Sequence, residues 1–331
     1  MSSAGTKPIS RIAIIGVGQV GAAAAYALIL GSVANELLLV DVKSELRDAQ
    51  VRDLSDVTYS GNRGTRVRAA TYREAAECDV VVITAGSKYC IGAYRGGQVT
   101  PVQARLYHQL GQTSLEYTYR NVAILRTIVN TMKPFRSDAI LLVVANPVDL
   151  LTSLARELSG LPSSQVLGSG TFLDSVRLRG LLADKTGIAA TSIDLYAVGI
   201  HGEQQVPAWS TATVAGVPLD QALPATAYNR SEIVNECKHR SQSIIKAKGA
   251  MPLGIGSIVC SICSSILLDK HNVRPVSHFQ QEYGCCFSLP VVLGRRGIVQ
   301  TIQMPLSADE KAHIAESATA LKGTLDRVKE V

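Results

Sequence analysis

The sequence predicts an α/β protein, a doubly wound parallel sheet in its first half followed by an α+β second half. Three observations predict it. Short β-branched runs, apolar on both faces, alternate with helix-patterned segments as far as about residue 150, the pattern of strands in a parallel sheet covered on both sides. A glycine-punctuated turn at residues 16–21 joins the first such strand to the first helix. Beyond residue 150 long helices are mixed with alternating segments, and Gly294 and Gly297 mark a turn between two paired strands. The expected division is therefore 1–150 and 151–331.

Each element follows in order. "RIAIIG" (11–16) is a short apolar strand, and "VGAAAAYALIL" after it has helix-forming composition. "NELLLVDV" (35–42) is a second strand ending in acid, "LRDAQVRDLSDV" a helix, and "GTRVRAAT" an alternating strand. "CDVVVITAG" (78–86) is the fourth strand, a helix is expected over 121–132, and "AILLVVANP" (139–147) is the fifth strand. In the second half "GTFLDSVRLRGLLADKTG" reads as a helix with its start, "LYAVGIHG" as a strand, and "SEIVNECKHRSQSIIKAKG" as a long helix. The last helix opens on a capping box, Ser307 with Glu310, and carries Ile314, Ala318, Leu321, Leu325 and Val328 as one apolar stripe.

Composition excludes several classes of function. At 331 residues the chain can bury a large core. No apolar run approaches the ~18 residues of a membrane helix, and the start shows neither a signal core nor an Arg-rich leader, so a soluble, cytoplasmic protein is expected. The net charge of +6 is spread along the chain, without the clustered cations and aromatics that nucleic-acid binding requires. Seven cysteines make a disulfide framework an unlikely design for such a chain. Cys260 and Cys263 form a C-x-x-C inside the apolar "GSIVCSICSSIL" and read as core thiols; no metal site is expected.

"GVGQVG" sets Gly16, Gly18 and Gly21 in a G-x-G-x-x-G pattern. It follows a strand, opens a helix, and Asp41 ends the next strand, which together make a Rossmann-type dinucleotide site. Gly16 permits the tight turn, Gly18 lets backbone approach a pyrophosphate, and Gly21 allows close helix–strand packing. The helix N-terminus offers N–H groups to phosphate. Asp41 would accept ribose hydroxyls and repel a 2′-phosphate, so NAD is expected rather than NADP. Of the six histidines, His201 stands apart, between glycines at a strand end. "GSGTFLDSVRLR" supplies Asp174 and Arg177 three apart at a helix start, and "ANPVD" closes the fifth strand.

With these residues the chain resembles the L-lactate/malate dehydrogenase family, nearer its lactate branch. "GVGQVG", "ITAG", "ANPVDLLT", "GSGTFLDSVR" and "HGEQQVPAWSTATVAG" stand in family order and spacing, from about residue 10 to the C-terminus. The resemblance implies that His201 exchanges a proton with the substrate oxygen while hydride moves to or from the nicotinamide. Asp174 would orient that imidazole and stabilise its charged form. Arg177 would fork onto the substrate carboxylate, with Asn146 and Asp149 also on the substrate side. Gly86, Asn146 and Ser169 would line the cofactor. It further implies a small 2-oxo or 2-hydroxy acid substrate and a homo-oligomer, dimer or tetramer.

The departures lie between "ITAG" and "YRN". The family carries there a loop arginine that polarises the substrate carbonyl; "GQTSLEYTYRN" aligns directly and puts Ser114 in its place. Removing residues 93–111 would restore family spacing. That excess has three readings: a genuine segment supplying Arg95 or Arg105 as a substitute cation, a short retained intron, or a surface expansion without chemical role. Tyr89 takes the position that sets substrate choice, where an arginine would mark a dicarboxylate, so oxaloacetate is not expected and a bulkier 2-oxo acid than pyruvate is conceivable. Ile200 replaces a usual glutamate and Met251 a usual threonine. Asp194 stands where phosphate-activated relatives carry a histidine, so no such activation is expected despite Arg179.

Overall fold

In a computed structural model of the chain, the described residues are 9–61, 64–87, 114–224 and 226–329. The 93–111 segment, with Arg95, Arg105, Tyr89 and His108, lies outside them, as does the side chain of Ser114.

The apolar runs become strands because each buries both faces. In β1 (Arg11–Ile15), Ala13 and Ile15 pack into one core cluster while Ile12 and Ile14 pack into another on the opposite face. With β2 (Glu36–Val40), β3 (Arg66–Ala69), β4 (Val80–Ile83), β5 (Ile140–Val143) and β6 (Val166–Gly168) it forms a parallel sheet in the order β3-β2-β1-β4-β5-β6. The intervening helices are α1 (Gln19–Leu30), α2 (Ser44–Ser60), α3 (Tyr72–Ala76), α4 (Ser114–Met132) and α5 (Val148–Ser159). The order reverses between β1 and β4, so the turns leaving those two strands diverge and open a crevice at the carboxyl ends, where ligands of such sheets bind. The opposite ends are closed by ion pairs: Asp79, just before β4, accepts from Arg136 at 2.8 Å and Arg295 at 2.6 Å.

Helix α4 begins at Ser114 rather than near residue 121. Its first turns lack the apolar period that marks the rest, which is why sequence patterning places the start too late; Glu116 in the first turn suits the positive end of the helix dipole.

In the second half, β12 (Asn272–Gln280), β13 (Cys285–Gly294) and β14 (Gly297–Thr301) run antiparallel and extend the same sheet. β12 joins β6 through Ser277 opposite Gly168, a contact only glycine permits, since a Cβ there would stand 2.3 Å from Thr152 Oγ1. Sequence reading anticipates β13 and β14 but not β12, whose "NVRPVSHFQ" mixes proline, charge and polar residues. Short strands β7 (Ile193–Asp194), β8 (Ala197–Val198), β9 (Val206–Pro207), β10 (Thr213–Val214) and β11 (Val217–Pro218) form two small sheets. The helices here are α6 (Phe172–Thr186), α7 (Leu219–Ala222), α8 (Arg230–Lys248), α9 (Pro252–Leu267) and α10 (Ala308–Lys329). α9 packs into the same core as α1, and Cys263 in it is fully buried as a core thiol. α10 has its capping box: Ser307 Oγ accepts from Glu310 N at 3.2 Å and Glu310 Oε2 from Ser307 N at 2.9 Å. No helix among the described residues is long and apolar enough to cross a membrane.

Candidate active site

The crevice is built from the turns after β1, β2, β4 and β5. Gly16 has φ +92°, and a Cβ on it would meet Ala85 Cα at 2.5 Å; only glycine fits. A Cβ on Gly21 would stand 2.1 Å from Gly16 O, so α1 lies directly on the turn. Gly18 is different. It caps α1 without a side-chain bond, and a Cβ built on it meets nothing within 4 Å. Open space therefore faces a bare helix N-terminus, which is what a pyrophosphate needs. Asp41 braces the turn, accepting from Val17 N through Oδ2 and from Lys43 N through Oδ1, each at 2.9 Å. These residues fit a dinucleotide.

The far wall is organised by a residue that sequence reading passes over. Asn121 is buried on α4; its Oδ1 accepts from Ser87 N at 2.7 Å, and its Nδ2 donates to Asn146 O at 2.9 Å. It ties the end of β4 to the end of β5. Gly86 lies against it, since a Cβ there would be 3.3 Å from Asn121 Oδ1. Its one signal in the sequence is an amide at the head of an apolar helical run. Asn146 itself is exposed, with Oδ1 accepting from Val148 N at 3.2 Å. Ser169 follows β6 and donates its N–H to Val143 O at 2.8 Å.

The second half of the chain adds the titratable groups. At the start of α6, Thr171 donates its hydroxyl to Ala197 O at 2.5 Å, and Ser175 Oγ accepts from Ala197 N at 2.9 Å. These bonds pin the helix to β8. The loop after β8 is held by Gly199, which exchanges two backbone bonds with Ser288 of β13 at 2.8 and 2.9 Å. Gly199 and Gly202 have φ +80° and +102° and turn the chain on both sides of His201. The result is a 2.6 Å contact between His201 Nδ1 and the buried Asp174 Oδ2. Burial opposes the imidazolium, but the charge and hydrogen bond of Asp174 outweigh it, and the His201 pKa rises to about 9. With Nδ1 committed, Nε2 is the nitrogen left for a substrate.

Two residues expected on the substrate side are engaged by protein groups. Arg177 is buried one turn after Asp174, 3.5 Å from Asp174 Oδ1, and donates to Ser241 Oγ at 2.7 Å and to the Met251 thioether. Its fork is engaged by protein groups. Asp149 does not line open space: it is 3% exposed, and its Oδ2 accepts from His201 N at 2.7 Å. Asp149 thus holds the histidine's backbone. It sits in the first turn of α5. The described residues hold no group of three or more His, Cys, Asp or Glu able to bind a metal.

A parallel sheet of this order, with a glycine turn facing a bare helix end and a His–Asp pair supplied by a second half, defines a dinucleotide-dependent oxidoreductase. Models of two domains match the chain: the NAD-binding domain of lactate/malate dehydrogenase over residues 10–168, and the alpha/beta C-terminal domain of lactate/malate dehydrogenase over 171–331. The chain belongs to the lactate/malate dehydrogenase family and is an NAD-dependent dehydrogenase. It is 38% identical over 313 residues to L-lactate dehydrogenase A of Rhizopus oryzae, covering 95% of this chain and 91% of that one. L-lactate dehydrogenase of Deinococcus radiodurans is 36% identical over 318 residues, covering 95% and 97%. Among solved structures, the ligand-bound minor L-lactate dehydrogenase of Enterococcus mundtii superposes with a TM-score of 0.85 at 32% identity, over 97% of this chain and 98% of that one.

Proposed function

We propose that this chain interconverts (S)-lactate and NAD+ with pyruvate, NADH and a proton. The observation that carries the reading is the His201–Asp174 pair at 2.6 Å, with the histidine pKa raised to about 9. A histidine so held is protonated at neutral pH and can give its Nε2 proton to a carbonyl oxygen, then recover it in reverse. The bound cofactor supplies or accepts the hydride. Asp174 keeps the ring in one tautomer and stabilises the charged form. Arg177 turns from Ser241 and Met251 to the substrate carboxylate, and Asn146 orients the substrate oxygen. Gly16, Gly18 and Gly21 carry the pyrophosphate, Asp41 the ribose, and Gly86 and Ser169 the nicotinamide side. The cofactor half extends through residue 150 and the substrate half from 151, in a cytoplasmic homo-oligomer.

The loop substitution belongs to this proposal. With Ser114 in place of the loop arginine, the carbonyl lacks one preorganised cation, a loss of roughly 10²–10³ in turnover that a hydroxyl does not make good. The enzyme is then slow on pyruvate or directed to a bulkier 2-hydroxy acid. A second reading, a non-catalytic NAD-binding relative acting as sensor or subunit, is favoured by one observation: the Arg177 fork is engaged by Ser241 and Met251.

Pyruvate-dependent NADH oxidation, with NADH binding followed by fluorescence in the same preparation, separates the two. Turnover within about tenfold of ~10² s⁻¹ supports lactate dehydrogenase and requires Arg95, Arg105 or another cation to replace the missing arginine. Binding without turnover on pyruvate or on 2-oxo acids with larger side chains favours the non-catalytic reading.

A further inference from the structure

We propose that Asp149 is a positioning residue for His201, a second buried carboxylate that holds the histidine by its backbone and whose negative charge helps keep the ring protonated. The inference rests on the reading of His201 as the proton donor.

His201 is gripped from two helices. Asp174 of α6 holds the ring at Nδ1, and Asp149 of α5 holds the main-chain N–H at 2.7 Å. The second grip is costly. Asp149 is buried, and the Ser277 hydroxyl of β12 also faces its carboxylate. Accepting one N–H needs only a neutral oxygen, and a buried ionised carboxylate is an expensive way to supply it. What the carboxylate adds is charge.

The groups around Asp149 show which cation that charge meets. β13 presents the Cys285 and Cys286 thiols, which burial keeps neutral at physiological pH. β12 presents the Ser277 hydroxyl, α6 presents Asp174, of like charge, and the loop after β8 presents His201. Of these only His201 can be positive. Burial raises the Asp149 pKa to about 6 while that of His201 stands at about 9. Between those values imidazolium and carboxylate coexist, which is the range in which the proposed donor works.

The test follows the ring Cε1 resonance of His201 through a pH titration of histidine-labelled protein with NADH bound, assigned by its loss in His201→Gln. Asp149→Asn keeps an oxygen for the His201 N–H and removes the charge; Asp149→Ser does the same with a smaller side chain. In both, the His201 midpoint should fall by about half a unit to two units, from Coulomb's law for a charge ~6 Å away at effective dielectric constants of roughly 80 to 20. Asp149→Glu should recover most of the shift. In the unmodified protein the same resonance should show a second, smaller inflection near pH 6, where Asp149 takes up its proton. An unchanged midpoint in folded Asp149→Asn or Asp149→Ser overturns the proposal. So does the absence of the inflection near pH 6, a measurement that needs no variant. The titration requires no turnover, so a chain that reduces neither pyruvate nor a larger 2-oxo acid while showing these shifts sinks the proposed function and leaves this inference standing.

Discussion

His201 is surrounded by groups that set its protonation before any substrate arrives. With a pKa near 9, raised against the effect of burial by the charge and hydrogen bond of Asp174, the proposed donor is charged across neutral pH. Pyruvate reduction should therefore hold steady at neutral pH and fall as pH rises through about 9, while lactate oxidation, which needs the neutral ring, should rise over the same range. Initial rates in both directions between pH 6 and 10 check this. Asp174→Asn removes the main source of the raised pKa; the reduction limb should move to lower pH and turnover should fall by roughly 10²–10⁴, with NADH affinity little changed. Gly21 offers a test of the cofactor turn. A side chain there would meet Gly16 O at 2.1 Å, so Gly21→Val should abolish NADH binding, read by fluorescence, and lower Tm by several degrees.

At the scale of elements, the crevice depends on ties between segments distant in sequence. Asn121 on α4 joins Ser87 after β4 to Asn146 after β5. Replacing it with alanine leaves a part-buried N–H and carbonyl without that partner, a loss of about 0.5–1.5 kcal/mol. Asn121→Ala should also weaken NADH binding more than a surface substitution of equal cost, because both walls of the site are released together. Denaturant unfolding and a binding titration on the same preparation check the pair of outcomes. The predicted terminal helix is a simpler case: its cap and apolar stripe are local features, and Ser307, Glu310, Ile314, Ala318, Leu325 and Val328 all take the expected places. Leu321 is only partly buried.

Across the whole molecule, the same buried groups couple folding to pH. The folded-state pKa of His201 is raised from 6.5 to about 9, so the stability it contributes is complete below pH 6.5 and is lost as pH rises through 9. That contribution is on the order of 3 kcal/mol. Asp149 acts in the same direction by another route: its folded pKa is raised from 3.8 to about 6, so ionising it costs stability as pH climbs through that interval. Thermal unfolding should accordingly give a Tm that declines between about pH 6.5 and 9.5 through His201, and Asp149→Asn should change the pH dependence of Tm below about pH 6. A Tm independent of pH would mean that neither group is held as described. Adding NADH at about 100 times its Kd should stabilise the fold by ~2.7 kcal/mol, and NADPH, facing the Asp41 carboxylate, by far less.

What the sequence by itself determined is whatever local pattern encodes. Runs such as "RIAIIG" and "CDVVVITAG" specify buried strands through their side chains alone, the spacing of Gly16, Gly18 and Gly21 specifies a turn through conformational freedom, and Asp174, Arg177 and His201 announce their chemistry by residue type and neighbours. The tertiary structure decided what depends on partners far along the chain. Strand β12 exists because β13 pairs with it along its whole length and Gly168 leaves room for Ser277 at the edge of β6, not because its own residues favour a strand. Asp149 looks like a residue of the substrate side until the fold brings His201 N to its carboxylate, and Arg177 looks like a free clamp until Ser241 and Met251 meet it. Backbone periodicity is a short-range property. The partner of a buried polar group is chosen only when the whole sheet has closed, since each such group must find whatever acceptor or donor the final packing leaves beside it.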